Sequence, residues 1–86
     1  MKNNEEKFLK ILGFLIKRHR RAAKYSQKDL AENSMISTNQ LRKIEKAQCN
    51  TSVETIFRIC NSLGIGIEDL FSEVAELMRK DIIYID

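Results

Sequence analysis

The sequence predicts a small all-α domain of five helices, on three observations. The 86 residues contain no proline and only three glycines, so few positions interrupt a helix. Apolar residues recur three and four apart rather than alternating, which is the period of helices that bury one stripe. Ser26 is followed three residues on by Asp29, and Ser37 by Gln40, so two capping boxes open two helices eleven residues apart. A chain of this length has room for one economical core and no second one.

The first helix follows a polar start, Met1 to Glu6, that is expected to fray. Phe8, Leu12, Leu15, Ile16 and Ala22 or Ala23 form its inner stripe, with Lys and Arg between them. His19 reads as a packed boundary residue rather than a ligand or catalyst. In the second helix Leu30 and Ala31 face inward, and the small Ala31 lets another helix cross close to its backbone. In the third, Leu41 and Ile44 share one face and leave Thr38, Asn39, Arg42 and Lys43 on the other. The fourth starts from Thr51 or Ser52, with a Thr51–Glu54 capping box. Its expected stripe is Val53, Ile56, Phe57, Cys60 and Leu63, and Gly64 stops it. Ile67, Leu70, Phe71 and Val74 continue the pattern in a fifth. The core should close by then, which gives a domain over residues 1–76 and an extension over 77–86. In that extension Leu77 and Met78 keep helical spacing and DIIYID is a β-branched run.

Charge is unevenly placed. The net +3 divides into +1 over Met1 to Ile16, +6 over Lys17 to Lys46 and −4 over Ala47 to Asp86. A basic segment that coincides with the paired short helices is the footprint of a phosphate-binding surface. No apolar run approaches a membrane span or a signal peptide, so a cytoplasmic location is expected. Cys49 and Cys60 form neither a metal quartet nor a CxxC pair and are expected to be reduced thiols. One His, two separated Cys and scattered carboxylates make no nucleophile–base pair or metal spacing; no enzyme activity, cofactor or metal is expected.

With these residues in place, the chain resembles the helix-turn-helix DNA-binding domains of the lambda repressor and Cro type, the Xre-like regulators. LGFLIKRHR matches the first helix of that family, SQKDLA the second, STNQLRKIE the third, SVETIFRICNSLG the fourth and IGIEDLF the fifth. The resemblance covers roughly residues 8 to 71, and in size and layout extends to restriction-modification controller proteins. It implies a five-helix lambda-repressor-like fold whose third helix enters the major groove, and an ion pair between Arg20 and Glu45 that holds that helix at its angle. Departures fall in the loops. Lys24, Met35 and Ala47 stand where the family has Gly, and Thr51 where it has Pro. A left-handed residue other than Gly costs about 1 kcal/mol, so the turn at Met35 is expected to be wider than usual.

The partner this implies is double-stranded DNA, bound by a homodimer. Thr38, Asn39, Gln40 and Lys43 are the candidates for base edges, because amides pair with adenine and Lys donates to guanine. Gln27 at the start of the second helix is expected on a phosphate, flanked by Lys28, Arg42, Lys46 and Asn50. Leu77, Met78, Ile82, Ile83, Tyr84 and Ile85 are the candidate dimer interface, since apolar residues beyond a closed core suggest a partner surface. The alternative is an antitoxin whose tail binds a toxin.

Overall fold

A computed structural model describes residues 2–80. Five helices follow one another: α1 (Lys2–Ala22), α2 (Gln27–Asn33), α3 (Thr38–Glu45), α4 (Val53–Leu63) and α5 (Ile67–Lys80). α1 packs against α3 and α5, α2 against α3 and α4, and α4 against α5. Ile11, Leu12, Leu15, Ile16, Leu30, Ala31, Leu41, Ile44, Ile56, Ile59, Cys60, Leu70 and Val74 are buried in one cluster. The all-α class and the five-helix arrangement are as the sequence predicts.

Several details differ. Among the described residues the polar start is helical: α1 begins at Lys2, since nothing from there to Phe8 breaks a helix and Glu5 lies in the positive first turn. Its stripe is Ile11, Leu12, Leu15 and Ile16, while Ala22 and Ala23 are exposed. At Gly13 a Cβ would lie 2.5 Å from the Ile44 carbonyl oxygen and 2.7 Å from that of Glu45. The backbones of α1 and α3 therefore touch, and only glycine permits that approach.

Ser26 and Ser37 cap as expected, each hydroxyl accepting from the backbone N–H three residues on at 3.0 Å. For α4 the cap is Ser52, accepting from Thr55 N–H at 3.0 Å, and not Thr51, whose hydroxyl oxygen is buried without a partner. On α4 the buried face is Thr55, Ile56, Ile59 and Cys60, whereas Val53 and Phe57 stand outside the core. Two apolar stripes run along this helix, 53–57 and 56–60–63. Asn61 continues the first with a polar residue, and that stripe faces solvent.

The turn at Met35 is not widened. Met35 takes φ +60°, Lys24 +65° and Ala47 +59°, alongside Gly64 at +73°. Each is followed by a backbone N–H that bonds five residues back: Tyr25 to Arg20, Ile36 to Ala31, Gln48 to Lys43 and Ile65 to Cys60, at 2.8–3.1 Å. All four helix ends thus close in the same left-handed motif, and the hydrogen bonds hold three non-glycine residues in it. The end of α2 is also tied to α4. The Ser34 hydroxyl donates to Ser62 Oγ at 3.0 Å, and Arg58 Nε donates to the Ser34 carbonyl at 2.9 Å.

α5 runs past position 76 without a break, and Leu77 and Met78 are half-buried against the core. His19 does sit at a boundary, its Nε2 2.7 Å from Glu73 Oε1 and so linking α1 to α5. Among the described residues no helix is long and apolar enough to cross a membrane, and no group of His, Cys, Asp and Glu is placed to hold a metal ion. Both cysteines are free thiols.

Candidate nucleic-acid interface

α3 is built to show one face. Leu41, Ile44 and Glu45 are buried, while Thr38, Asn39, Arg42, Lys43 and Lys46 are exposed. Gln40 is half-buried at the third position of the helix. Three of the four candidate base-edge residues are therefore fully presented and the fourth partly so. Asn39 and Arg42 are tied on the outer surface, the Arg42 guanidinium donating to Asn39 Oδ1.

Besides the buried Leu41 and Ile44, one carboxylate ties α3 to its neighbours. Glu45 lies on its inner side with its side chain 2% exposed. Arg20 from α1 donates to it through two nitrogens, Nε to Oε2 at 2.7 Å and a terminal nitrogen to Oε1 at 3.1 Å. The other terminal nitrogen of Arg20 donates to the Tyr25 carbonyl at 2.9 Å, in the loop that leads to α2. This bidentate geometry satisfies both charges in a dry setting, where an unpaired charge would be costly. The ion pair inferred from the family resemblance is present.

Gln27 joins the same carboxylate. Its Nε2 donates to Glu45 Oε1 at 3.0 Å, so one of its two amide N–H groups points back into the protein. The side chain expected on a phosphate thus also fixes the start of α2 to the end of α3. Glu45 gathers α1, α2 and α3 at one point. Sequence reasoning missed this role because a half-exposed amide at a helix start reads equally well as facing outward.

Lys28, Arg42 and Lys46 are exposed on α2 and α3, and Arg18, Arg21 and Lys24 on the end of α1 and its turn. Asn50 is exposed in the loop between α3 and α4, where it lines a cleft with Asn4, Glu5, Glu6, Phe8 and Leu9. Leu77 and Met78 pack against the core of their own chain. The premise for a partner surface at these two residues, that nothing in the chain covers them, is not met. Ile82, Ile83, Tyr84 and Ile85 lie outside the described residues.

A short helix capped by Ser26, a left-handed turn and a second helix with a polar outer face together define a helix-turn-helix DNA-binding domain. The chain belongs to the helix-turn-helix family of the lambda repressor and Cro type, whose profile matches residues 16–70. No curated protein sequence matches it significantly.

Among solved structures it is similar to the clp gene regulator ClgR from Corynebacterium glutamicum, at 26% identity and TM-score 0.80 over 86% of this chain and 79% of that one. A second ClgR structure gives 27% identity and TM-score 0.77, covering 83% and 91%. A point mutant of the restriction-modification controller protein C.Esp1396I shares the fold, at TM-score 0.80, 23% identity and coverage of 87% and 97%. The chain is accordingly a DNA-binding protein of the transcription-regulator kind.

Proposed function

We infer that the chain regulates transcription by binding a two-fold symmetric operator as a homodimer, with α3 of each subunit in one of two major grooves about 34 Å apart. The observation that carries this reading is the exposed polar face of α3, braced from behind by the buried Arg20–Glu45 pair. Thr38, Asn39, Gln40 and Lys43 address base edges. A good bidentate contact there discriminates by about 1–3 kcal/mol. Gln27, Lys28, Arg42 and Lys46 address phosphates on either side, Gln27 with the N–H that Glu45 leaves over. No cofactor takes part, and the work is done where the DNA is, in the cytoplasm.

Selection of bound sites from random duplex DNA tests the reading directly, because a consensus gives half-site spacing and symmetry together. A pair of inverted half-sites one helical turn apart is expected. The salt dependence of binding is the second measurement. With about four basic side chains per subunit on phosphates, a dimer neutralises about eight, and the slope of log K against log salt should be about −7. A slope near zero would remove the DNA reading, and a consensus without two-fold symmetry would remove the homodimer.

A further inference from the structure

Among the described residues the large hydrophobic side chains left exposed are Met35, Val53 and Phe57. Val53 and Phe57 lie one turn apart on the outer face of α4, 69% and 48% exposed. Beside them, on one flank, Glu54 and Arg58 approach to 3.4 Å. Next to Val53 the surface dips into a cavity of about 180 Å³ lined by Phe8, Leu9, Leu12, Ile56 and Phe71 together with the polar Asn50 and Thr51. A water takes about 30 Å³ of the liquid, so this space has room for an aromatic ring. The face therefore carries an aromatic knob, a largely apolar hole one turn away, and an acid and a base one turn apart along the same flank.

We propose that two copies of the chain associate through α4, antiparallel across a two-fold axis near Thr55 and Ile56, so that Phe57 of each seats beside Val53 of the other in the cavity walled by Phe8, Leu9 and Phe71. The proposal rests on the homodimer read above and names its surface. A two-fold axis lying in the contact plane reverses helix direction and keeps the flank, so the register that sets Val53 against the partner's Phe57 also sets Glu54 against the partner's Arg58. One register satisfies the apolar and the charged pairs at once. A partner of another sequence would have no reason to match both, whereas a second copy matches them by symmetry.

Sedimentation equilibrium of the full chain tests it. Phe57→Ala should weaken dimerisation by about 30-fold or more, as truncation of a central aromatic anchor does, with the helical circular dichroism unchanged. Glu54→Arg and Arg58→Glu should each weaken self-association. Mixing those two variants should produce a heterodimer tighter than either homodimer, by about 10-fold, because each contact across the axis is then an opposite pair. The intrachain pair stays broken in both, so a merely structural role could not give that rescue. Arg58 also holds Ser34, and should Arg58→Glu unfold, Phe57→Ala decides alone.

A Phe57→Ala chain that dimerises as tightly as the parent overturns the proposal, as does a parent that sediments as a monomer at every concentration. Binding of a short duplex at low salt separates this from the DNA reading. Monomeric Phe57→Ala should still bind it through the α2–α3 face. Dimers that respond as expected but ignore DNA would leave the α4 interface standing and sink the operator.

Discussion

Gly13→Ala is the smallest change that should move α3 without touching it. The new Cβ would sit 2.5 Å from one carbonyl oxygen of α3 and 2.7 Å from another, where ordinary contact begins at 3.4 Å, so the helices must part by roughly 0.9 Å. Those oxygens are backbone and cannot swing aside, and that of Ile44 also accepts from Ala47 N–H at 3.1 Å. Overpacking of this kind costs about 1–3 kcal/mol, and the rigid neighbours put it at the upper end. The helix propensity of Ala returns about 1 kcal/mol. The net loss is about 2 kcal/mol, on the order of 10 °C in Tm for a chain of this size. Displaced by a large fraction of an ångström, α3 no longer brings Asn39 and Lys43 within the 2.7–3.2 Å range of N–H···O bonds. Affinity for the selected site should therefore fall more than affinity for random duplex. The assays are a thermal melt and titration of both duplexes at one salt concentration. An alanine variant that melts at or above the parent and binds the selected site as tightly would refute the close-contact argument.

Other perturbations probe the remaining parts. Arg20→Ala strands the buried Glu45 carboxylate and should cost about 3–5 kcal/mol, read as a large drop in Tm; a small drop would mean that Glu45 is not held by this pair. Met35→Gly relieves a left-handed residue whose side chain is 76% exposed and should stabilise by up to about 1 kcal/mol in denaturant titration, whereas a loss would show that the Met35 side chain contributes more than its backbone strain removes. Asn39→Ala and Lys43→Ala should flatten sequence preference in competition binding, while Lys28→Ala weakens all sequences alike; equal loss on cognate and random DNA for Asn39→Ala would deny it a base contact. Burial, with a smaller contribution from Glu68, pushes the Cys60 thiol from 9.0 up to about 11. The unfolded chain then loses its thiol proton first, so this group's contribution is full below pH 9 and is lost as pH rises towards 11, at about 1.4 kcal/mol per pH unit. Cys60→Ala should fall less steeply than the parent over that range, and parallel stability–pH curves would remove the assignment.

The fold was legible because local signals and the global arrangement agree. Ser26 and Ser37 cap where their spacing says they should, and Leu41 with Ile44 turns the polar side of α3 outward. What escaped was information that periodicity does not carry. α4 has two apolar stripes of the same helical period, and only the neighbouring elements decide which one is covered. The expected stripe took Val53 and Phe57 inward and left out Ile59, which is fully buried. The need for glycine at position 13 leaves no mark in the sequence, since a close backbone approach is a property of two elements. The turns went the other way. Lys24, Met35 and Ala47 suggested altered loops, yet the backbone keeps the left-handed geometry that glycine would take freely.

α3 has eight residues, too few for a stable helix in isolation, so its position comes from tertiary contact. Two of those contacts come from α1, one steric and one electrostatic: Gly13 lets the backbones meet at Ile44 and Glu45, and Arg20, two turns further along α1, clamps the Glu45 side chain. The first sets the distance between the helices and the second the rotation of α3 about its own axis, because Glu45 can reach Arg20 only with Leu41 and Ile44 turned inward. Gln27 then fixes α2 to the same carboxylate. The angle of the face that carries Asn39 and Lys43 is thus determined at its C-terminal end, from behind. The N-terminal end, where Ser37, Thr38 and Asn39 lie exposed, is left clear for a groove.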